Sequence, residues 1–293
     1  MPSAPLLIAD VPWLLYRAYF GVPKSIVGAD GRPVNALLGT VNALLATIEE
    51  RPPRAVVACF GAEQAAYRVD LYPPYHAHRE PMPTELAEQW AKAPGLLAAL
   101  GWTVCDAGEL EADDAMFSHA RAETEAGGQA LLLTADRDLY QAVDEHTAVV
   151  KLEKGHIADE IGPQQVRERY HGVSPEQVPD LIALRGDPSD GLPGAPGVGV
   201  KTAAELLTRH GTLEDILAAA RSEDRQKRPR ATAALLANAE LLRTFKEIAT
   251  LRRIDVQRPA DRATDFAAGA HAARELGMAR LAERLEGLAS ARS

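Results

Sequence analysis

The chain has 293 residues and a formal net charge of -9, enough length for one large domain or two modest ones. No apolar run approaches the roughly 20 residues of a membrane span. The N-terminus lacks a basic region followed by a long apolar one, so neither a membrane anchor nor a signal peptide is expected, and the cytoplasm is. The negative balance argues only weakly against a nucleic-acid partner, because carboxylates that hold cations are partly cancelled by them.

The first element in chain order is PLLIAD, a short apolar run that reads as a buried strand ending at Asp10. A polar turn region follows around Gly28, Asp30 and Gly31. Residues 35–50 place Leu37, Leu38, Val41, Leu44, Leu45 and Ile48 on one helical stripe, and Arg51-Pro52-Pro53 ends it. AVVACF, residues 55–60, is the second strand. Cys59 within it and Cys105 in GWTVC lack metal-knuckle spacing and read as reduced core residues.

From Gln64 to Pro83 the periodicity dissolves. Tyr67, Arg68, Tyr72, Tyr75, His76, His78 and Arg79 interleave aromatic and basic groups, and prolines 73, 74, 81 and 83 prevent one continuous helix. A long irregular segment between regular elements is often functional, with a solvent-facing loop as the plainer alternative. Residues 85–100 read as helix, WTVC as a short strand, and 113–126 as a helix stopped at Gly127-Gly128. ALLLTAD and TAVVKL are two further strands. The alternation implies an α/β fold with a mostly parallel sheet. After Gly162 the pattern is almost wholly helical, and Ser290–Ser293 read as a frayed end. The implied division is an α/β domain over 1–162 and a helical region over 163–293. Arg221, Arg225, Lys227, Arg228 and Arg230 form a basic cluster that, taken alone, reads as a solvated charged loop.

Strand ends deliver acids to one side: Asp10, the Glu111/Asp113/Asp114 group, and Asp136 with Asp138. Asp136 and Asp138 are two apart and point the same way on extended backbone. Asp113 and Asp114 open a helix, whose dipole tolerates negative charge. Asp187 and Asp190 are three apart in GDPSD, so one turn presents both. Any one of these could be an N-cap or surface acid. Together they would repel unless held by a cation, and an all-oxygen set suits Mg²⁺ or Mn²⁺ rather than Zn²⁺. A metal-assisted phosphodiester hydrolysis fits such a set.

Residues 194–203 read GAPGVGVKTA. The spacing is not that of a phosphate-binding P-loop, and no apolar strand precedes it. A hairpin between two helices fits better, with Gly194, Gly197 and Gly199 admitting a sugar-phosphate chain and the helix at Lys201 and Thr202 offering N–H groups to it. A plain helix–turn–helix corner is the alternative.

The motifs ELEADD, LLLTADRDLYQ and LRGDPSDGLPGAPGVGVKTAAELL, with the segment from Leu6 to the C-terminus that contains them, resemble the bacterial 5′–3′ exonuclease family. That family shares its fold with the nuclease domain of DNA polymerase I and with the flap endonucleases. The resemblance implies a PIN-like 5′ nuclease fold in a stand-alone form, acting as a monomer on DNA flaps, ends or nicks. It implies a first metal cluster of Asp10, Glu111, Asp113 and Asp114 and a second of Asp136, Asp138, Asp187 and Asp190. It also implies a helix-hairpin-helix DNA clamp that binds K⁺ through carbonyls near 194–199, and Tyr16 and Arg17 beside the site. The irregular segment, about 64–90, would be the arch through which a 5′ strand threads, with Arg68, His76 and Arg79 as its catalytic basic positions.

Three departures stand out. The family's second strand ends in Phe-Asp, and the Asp is a site carboxylate; here it is Phe60-Gly61, with Glu63 two residues on as a substitute donor. The arch lysine falls near His76, which is shorter and largely neutral at pH 7. The glycine after the first Asp is Val11. Gly61 and His76 motivate an alternative, a flap-binding protein with weak or lost catalysis. An RNA-directed PIN-like nuclease is a third reading, disfavoured by the arch and hairpin.

Overall fold

The computed structural model describes residues 4–153, 155–222 and 230–291. The chain order is β1 (Leu6–Asp10), α1 (Val11–Gly21), α2 (Asn35–Glu50), β2 (Ala55–Phe60), α3 (Ala66–Leu71), α4 (Thr84–Ala99), β3 (Thr103–Asp106), α5 (Ala112–Glu125), β4 (Ala130–Leu133), β5 (Thr147–Glu153) and β6 (His156–Ile161). The remaining elements are α6 (Pro163–Arg169), α7 (Val178–Arg185), α8 (Val200–His210), α9 (Leu213–Ser222), α10 (Arg230–Ala237), α11 (Ala239–Ala249), α12 (Phe266–Glu275) and α13 (Ala279–Ala291).

Among the described residues the strands form one sheet in the order β3-β2-β1-β4-β5-β6, parallel except for the β5–β6 pair. β1, β2 and β4 are buried along their whole length, as strands covered on both faces must be. Alternation divides the side chains between two cores. Leu6, Ile8, Val57, Cys59 and Leu132 face a core closed by α5 and the helices from α6 to α11. Leu7, Ala9, Val56, Phe60 and Leu133 face a second core closed by α1, α2, α4, α12 and α13. The strand order reverses between β1 and β4, so a crevice opens at their C-terminal ends, where sites form in such sheets.

The last two helices therefore lie on the opposite face of the sheet from α6 to α11. A strap over 251–265, without helix or strand, carries the chain across. It is fastened along α5, where Asp114 Oδ1 accepts the Arg252 N–H at 2.6 Å, Ser118 Oγ accepts the Ile254 N–H at 2.9 Å and Arg258 Nε reaches Glu123 at 2.9 Å. Glu123 is fully buried and also ion-paired to Arg54. Farther on, Thr264 Oγ1 accepts from the Trp102 indole at 3.0 Å.

Two elements carry no expectation from the sequence, and the expectation for the C-terminal end needs correction. Residues 11–21 are helical, with Asp10 as N-cap and Val11, Leu14, Leu15, Ala18 and Tyr19 buried at i, i+3, i+4, i+7, i+8 spacing. HIADEI is an antiparallel edge strand with His156, Ala158 and Glu160 exposed. The C-terminus is not frayed at Ser290: α13 continues to Ala291, with Ser290 Oγ on the Glu286 carbonyl at 3.0 Å, and residues 292–293 lie outside the described residues. In the basic cluster, Arg221 lies on α9, whereas Arg225, Lys227 and Arg228 lie outside the described residues.

Candidate active site

The crevice is organised by hydrogen bonds that start from Asp10. Its Oδ1 accepts the Trp13 N–H at 2.9 Å, which caps α1, and its Oδ2 accepts from Thr134 Oγ1 at 2.7 Å. Thr134 Oγ1 accepts the Asp136 N–H at 3.0 Å, and Asp136 Oδ1 accepts the Asp138 N–H at 2.8 Å. The two strand ends are thus linked through side chains, which positions three of the expected acids. Asp138 is not on extended backbone as expected. β4 stops at Leu133 and Asp138 opens a 3₁₀ turn over Asp138–Ala142. The reason is local, since an Asp side chain that takes the N–H two residues on bends the chain.

Opposite them, the start of α5 presents Glu111 and Asp113. Glu111 is clamped by Arg68 Nη1 at 2.6 Å, the Ala65 N–H at 2.8 Å and the Tyr75 hydroxyl at 3.2 Å. Asp114 has no exposed surface. Its oxygens accept the N–H groups of Arg252 and Glu111 and face Arg68 Nη2 at 3.4 Å. It holds α5, the strap and Arg68 together and does not line the cleft. Arg68 itself is 3% exposed and points inward to these acids, at the edge of the cleft.

The second set comes from the loop between α7 and α8. Asp187 is held by the Ser189 N–H at 2.9 Å and Arg185 at 3.3 Å. Asp190 meets His76 Nε2 at 2.9 Å and Arg79 Nη2 at 3.2 Å. His76 is buried, stacked on Tyr75 with ring centroids 3.8 Å apart, and sits at φ 55. The irregular segment is one short helix, α3, and a run of turns folded over the cleft mouth. Its docking against the loop leaves Gly191 within 2.8 Å of the Pro74 carbonyl, measured from the position of an added Cβ.

Four of the eight acids, Glu111, Asp114, Asp187 and Asp190, have an Arg or His partner. Among the described residues the other four, Asp10, Asp113, Asp136 and Asp138, have none. Burial, with a smaller contribution from Asp136, pushes the Asp10 carboxyl up to about 6, against the lowering effect of its two hydrogen bonds. Burial and then Asp136 push Asp113 and Asp138 well above the usual carboxylate range. Burial raises Asp136 as well, although its side chain reaches solvent in the cleft. Arg68 acts on Asp113 and Asp138 and Arg79 on Asp136 only as the smallest influence on each, so these acids form a site that a cation would relieve. The donors are all oxygen, as Mg²⁺ and Mn²⁺ prefer. Among the described residues no three such side chains close into a ready-made cage. Mg²⁺ sites commonly use one or two carboxylates, with water and substrate phosphate completing the shell.

Gly61 lies where the family pattern would place an acid. A Cβ added there would stand 2.5 Å from the Leu110 carbonyl and 2.6 Å from the Ala112 nitrogen, so backbone fills the space. Its φ is not positive; packing, not conformation, requires glycine. Glu63 faces the cleft and accepts from the Tyr16 hydroxyl at 2.6 Å. Arg17 is exposed on α1, over the Trp13 ring. Sequence reasoning missed the inward roles of Tyr75 and Thr134; neither residue type signals a carboxylate partner by itself.

The 186–199 loop joins the second acid set to the glycine-rich stretch. Gly186 and Gly194, both at positive φ, pack backbone to backbone. Gly197, at φ 78, and Gly199 have open space around them, and Lys201 is exposed in the first turn of α8. Thr202 follows it, partly exposed. The cleft has a volume of about 740 Å³ and is lined by the acids Asp10, Glu111, Asp113, Asp136, Asp138 and Asp190 together with the aromatic residues Trp13, Tyr16, Phe20 and Trp90.

Residues 5–171 match the family described as "5'-3' exonuclease, N-terminal resolvase-like domain", and residues 173–267 that described as "5'-3' exonuclease, C-terminal SAM fold". A "5'-3' exonuclease" of Mycobacterium tuberculosis is 39% identical over 238 residues, 74% of each chain. The thermostable DNA polymerase I of Thermus thermophilus is 37% identical over 97% of this chain, which spans only 32% of that polymerase. The bacteriophage T5 D15 flap endonuclease, solved as a pseudo-enzyme-product complex with DNA and metal ions, has the same fold at TM-score 0.68 and 16% identity, covering 98% of this chain and 99% of that one. No helix among the described residues is long and apolar enough to cross a membrane. The chain belongs to the 5′–3′ exonuclease family of phosphodiester-hydrolysing nucleases.

Proposed function

We propose that this chain is a structure-selective, divalent-metal-dependent 5′ nuclease that hydrolyses phosphodiesters in DNA at 5′ flaps, ends and nicks. The observation that carries the proposal is the set of four carboxylates that have no ion-pair partner among the described residues, Asp10, Asp113, Asp136 and Asp138, lining one cleft at the strand-order reversal. Mg²⁺ or Mn²⁺ would be held by Asp10, Glu111 and Asp113 on one side and by Asp136, Asp138, Asp187 and Asp190 on the other, with Asp114 supporting from behind. Bound divalent ions supply a water of lowered pKa and stabilise the leaving oxygen.

The remaining residues bind and orient. His76 and Arg79, over Asp190, face the scissile phosphate. Arg68 acts from inside, by fixing Glu111. The segment around 64–90 is the arch over the 5′ strand, and Tyr16 and Arg17 flank its path. Gly194, Gly197, Gly199, Lys201 and Thr202 form a helix-hairpin-helix clamp on duplex phosphates, with K⁺ bound by hairpin carbonyls near 194–199. Such contacts position DNA without reading bases. The parts divide as a PIN-like nuclease domain over 1–162 and a helical region over 163–293, acting as a monomer.

Labelled substrates test this reading: 5′-flap, 3′-flap, nicked and blunt duplexes, and a 5′-flap in RNA, each with Mn²⁺. Release of 5′ products from flap DNA, absent in the D136A/D138A double variant, supports it. Products from 3′ flaps, preference for RNA, or product equal to the double variant would contradict it.

A further inference from the structure

The Arg68 guanidinium is a buried charge that pairs with Glu111 at 2.6 Å. Burial works against the Arg68 charge, but Glu111, Tyr75 and Asp114 outweigh it and its pKa is raised. Two groups outside the acid sets fix its position. Tyr67, on α3, takes Arg68 Nε on its hydroxyl oxygen at 3.0 Å. The Tyr67 ring is also covered by Arg252, whose guanidinium carbon lies 3.2 Å from the ring centroid. Arg252 belongs to the strap, and its own N–H donates to Asp114 Oδ1 at 2.6 Å. Its side chain is 43% exposed and reaches Glu247 at 3.4 Å. One strap residue therefore engages Asp114 through its backbone and the Tyr67–Arg68 pair through its side chain, and both routes end at Glu111.

We infer that Tyr67 and Arg252 are positioning residues, which lock Arg68 and thereby pre-set the Glu111 carboxylate for a divalent ion. The physical case is pre-organisation. A carboxylate held by Arg68, Tyr75 and the Ala65 N–H pays its ordering cost on folding and not on ion binding, and partners that orient ligands commonly tune metal affinity. Tyr67 and Arg252 touch no cleft-lining acid with their side chains, so their effect passes through Arg68.

This inference rests on the nuclease reading for the identity of the ion but is tested separately from it. Mn²⁺ binding is measured without DNA, by electron paramagnetic resonance, in an Asp138→Asn background that leaves the Glu111 side to report. Removing the Tyr67 hydroxyl with Tyr67→Phe should weaken binding about five-fold, the usual effect of one lost hydrogen bond. Arg252→Ala should weaken it about two- to five-fold, as for an exposed cation–π contact. Arg252→Lys, which restores a cation over the ring, should recover most of the loss. In the otherwise native chain, the same variants should lower kcat at limiting Mn²⁺ and leave KM for flap DNA unchanged. Unchanged Mn²⁺ affinity in both Tyr67→Phe and Arg252→Ala would overturn the inference. So would a rise in KM for DNA alone, which would make Arg252 a phosphate contact. A wild type that binds Mn²⁺ but cuts no flap would remove the nuclease reading and leave the affinity measurements to decide this one.

Discussion

His76 and Asp190 are joined twice: Nε2 of the imidazole lies 2.9 Å from the carboxylate, and the His76 N–H donates to the Asp190 carbonyl at 3.1 Å. This pair ties the segment over the cleft to the loop carrying the second acid set. It does so from a backbone in the left-handed region, at φ 55. His76→Ala keeps that strained backbone and loses the side-chain bond. It should cost about 2 kcal/mol in the metal-free protein, the range for a hydrogen bond to a charged group. That corresponds to a melting temperature lower by about 4–8 °C. His76→Gly should be about 1 kcal/mol more stable than His76→Ala, because glycine adopts this conformation without penalty. The difference from wild type should shrink in Mn²⁺, where Asp190 has another partner. Differential scanning fluorimetry with EDTA and with Mn²⁺ checks all three orderings.

At Gly61, restoring the family's carboxylate should fail. The added Cβ meets the backbone of residues 110–112 at 2.5–2.6 Å, and that backbone carries Glu111. Gly61→Ala should already cost about 1–3 kcal/mol by overpacking. Gly61→Asp should in addition raise, not lower, the metal concentration for half-maximal cleavage. A metal titration beside a thermal melt decides the matter. A normally stable Gly61→Asp with a lower metal requirement would refute the packing argument.

The pH dependence of the metal-free protein follows from Asp10. Its carboxyl is raised from 3.8 to about 6, so the folded state keeps this proton longer than the unfolded state does. The contribution to stability is then fully present below pH 3.8, falls as pH rises through the window to about 6, and stays lost above it. A shift of this size corresponds to about 3 kcal/mol. His119, whose pKa burial lowers from 6.5 to about 4, acts in the opposite sense, losing stability as pH falls through the same window. The Asp10 effect is isolated by comparing wild type with Asp10→Asn, which should be the more stable protein at pH 7 in EDTA and lose that advantage near pH 4. Parallel stability curves for the two proteins would contradict it.

Lys201 and Gly197 test the hairpin. Lys201→Ala should weaken binding to all duplex sequences alike and reduce the slope of log K against log salt by about 1. Gly197→Ala has space for its methyl group but must hold φ 78. It should cost about 1 kcal/mol of stability, read by thermal melts. Fluorescence anisotropy across salt concentrations and duplex sequences checks the lysine. A loss that depended on base sequence would exclude the phosphate role.

The mostly parallel sheet was legible from the alternation of short apolar runs with helical stretches, and the acids at its edge from the two runs, PLLIAD and ALLLTAD, that lead into Asp. α2 matches its expected span, since its stripe is regular. The buried stripe of α1 at 11, 14, 15, 18 and 19 carries the helical period, but aromatic residues outside the stripe blur it, as Phe20 shows at 72% exposure. The inward course of Arg68 left no sequence signal. Its burial depends on α5 presenting Glu111 and Asp114 from 43 or more residues away, and periodicity carries no such information. The filled space at Gly61 is equally silent, because a glycine required by packing and one required by φ look the same in a sequence.

The central claim, that the carboxylate set performs metal-dependent cleavage, is tested most directly by single-turnover cutting of a labelled 5′-flap duplex in saturating Mn²⁺ by wild type and by Asp138→Asn. The prediction is metal-dependent 5′ product from wild type and a rate lower by about a hundred-fold or more in the variant, with its fold intact by circular dichroism. Equal rates for the two proteins, or no metal-dependent product from wild type, would contradict the account.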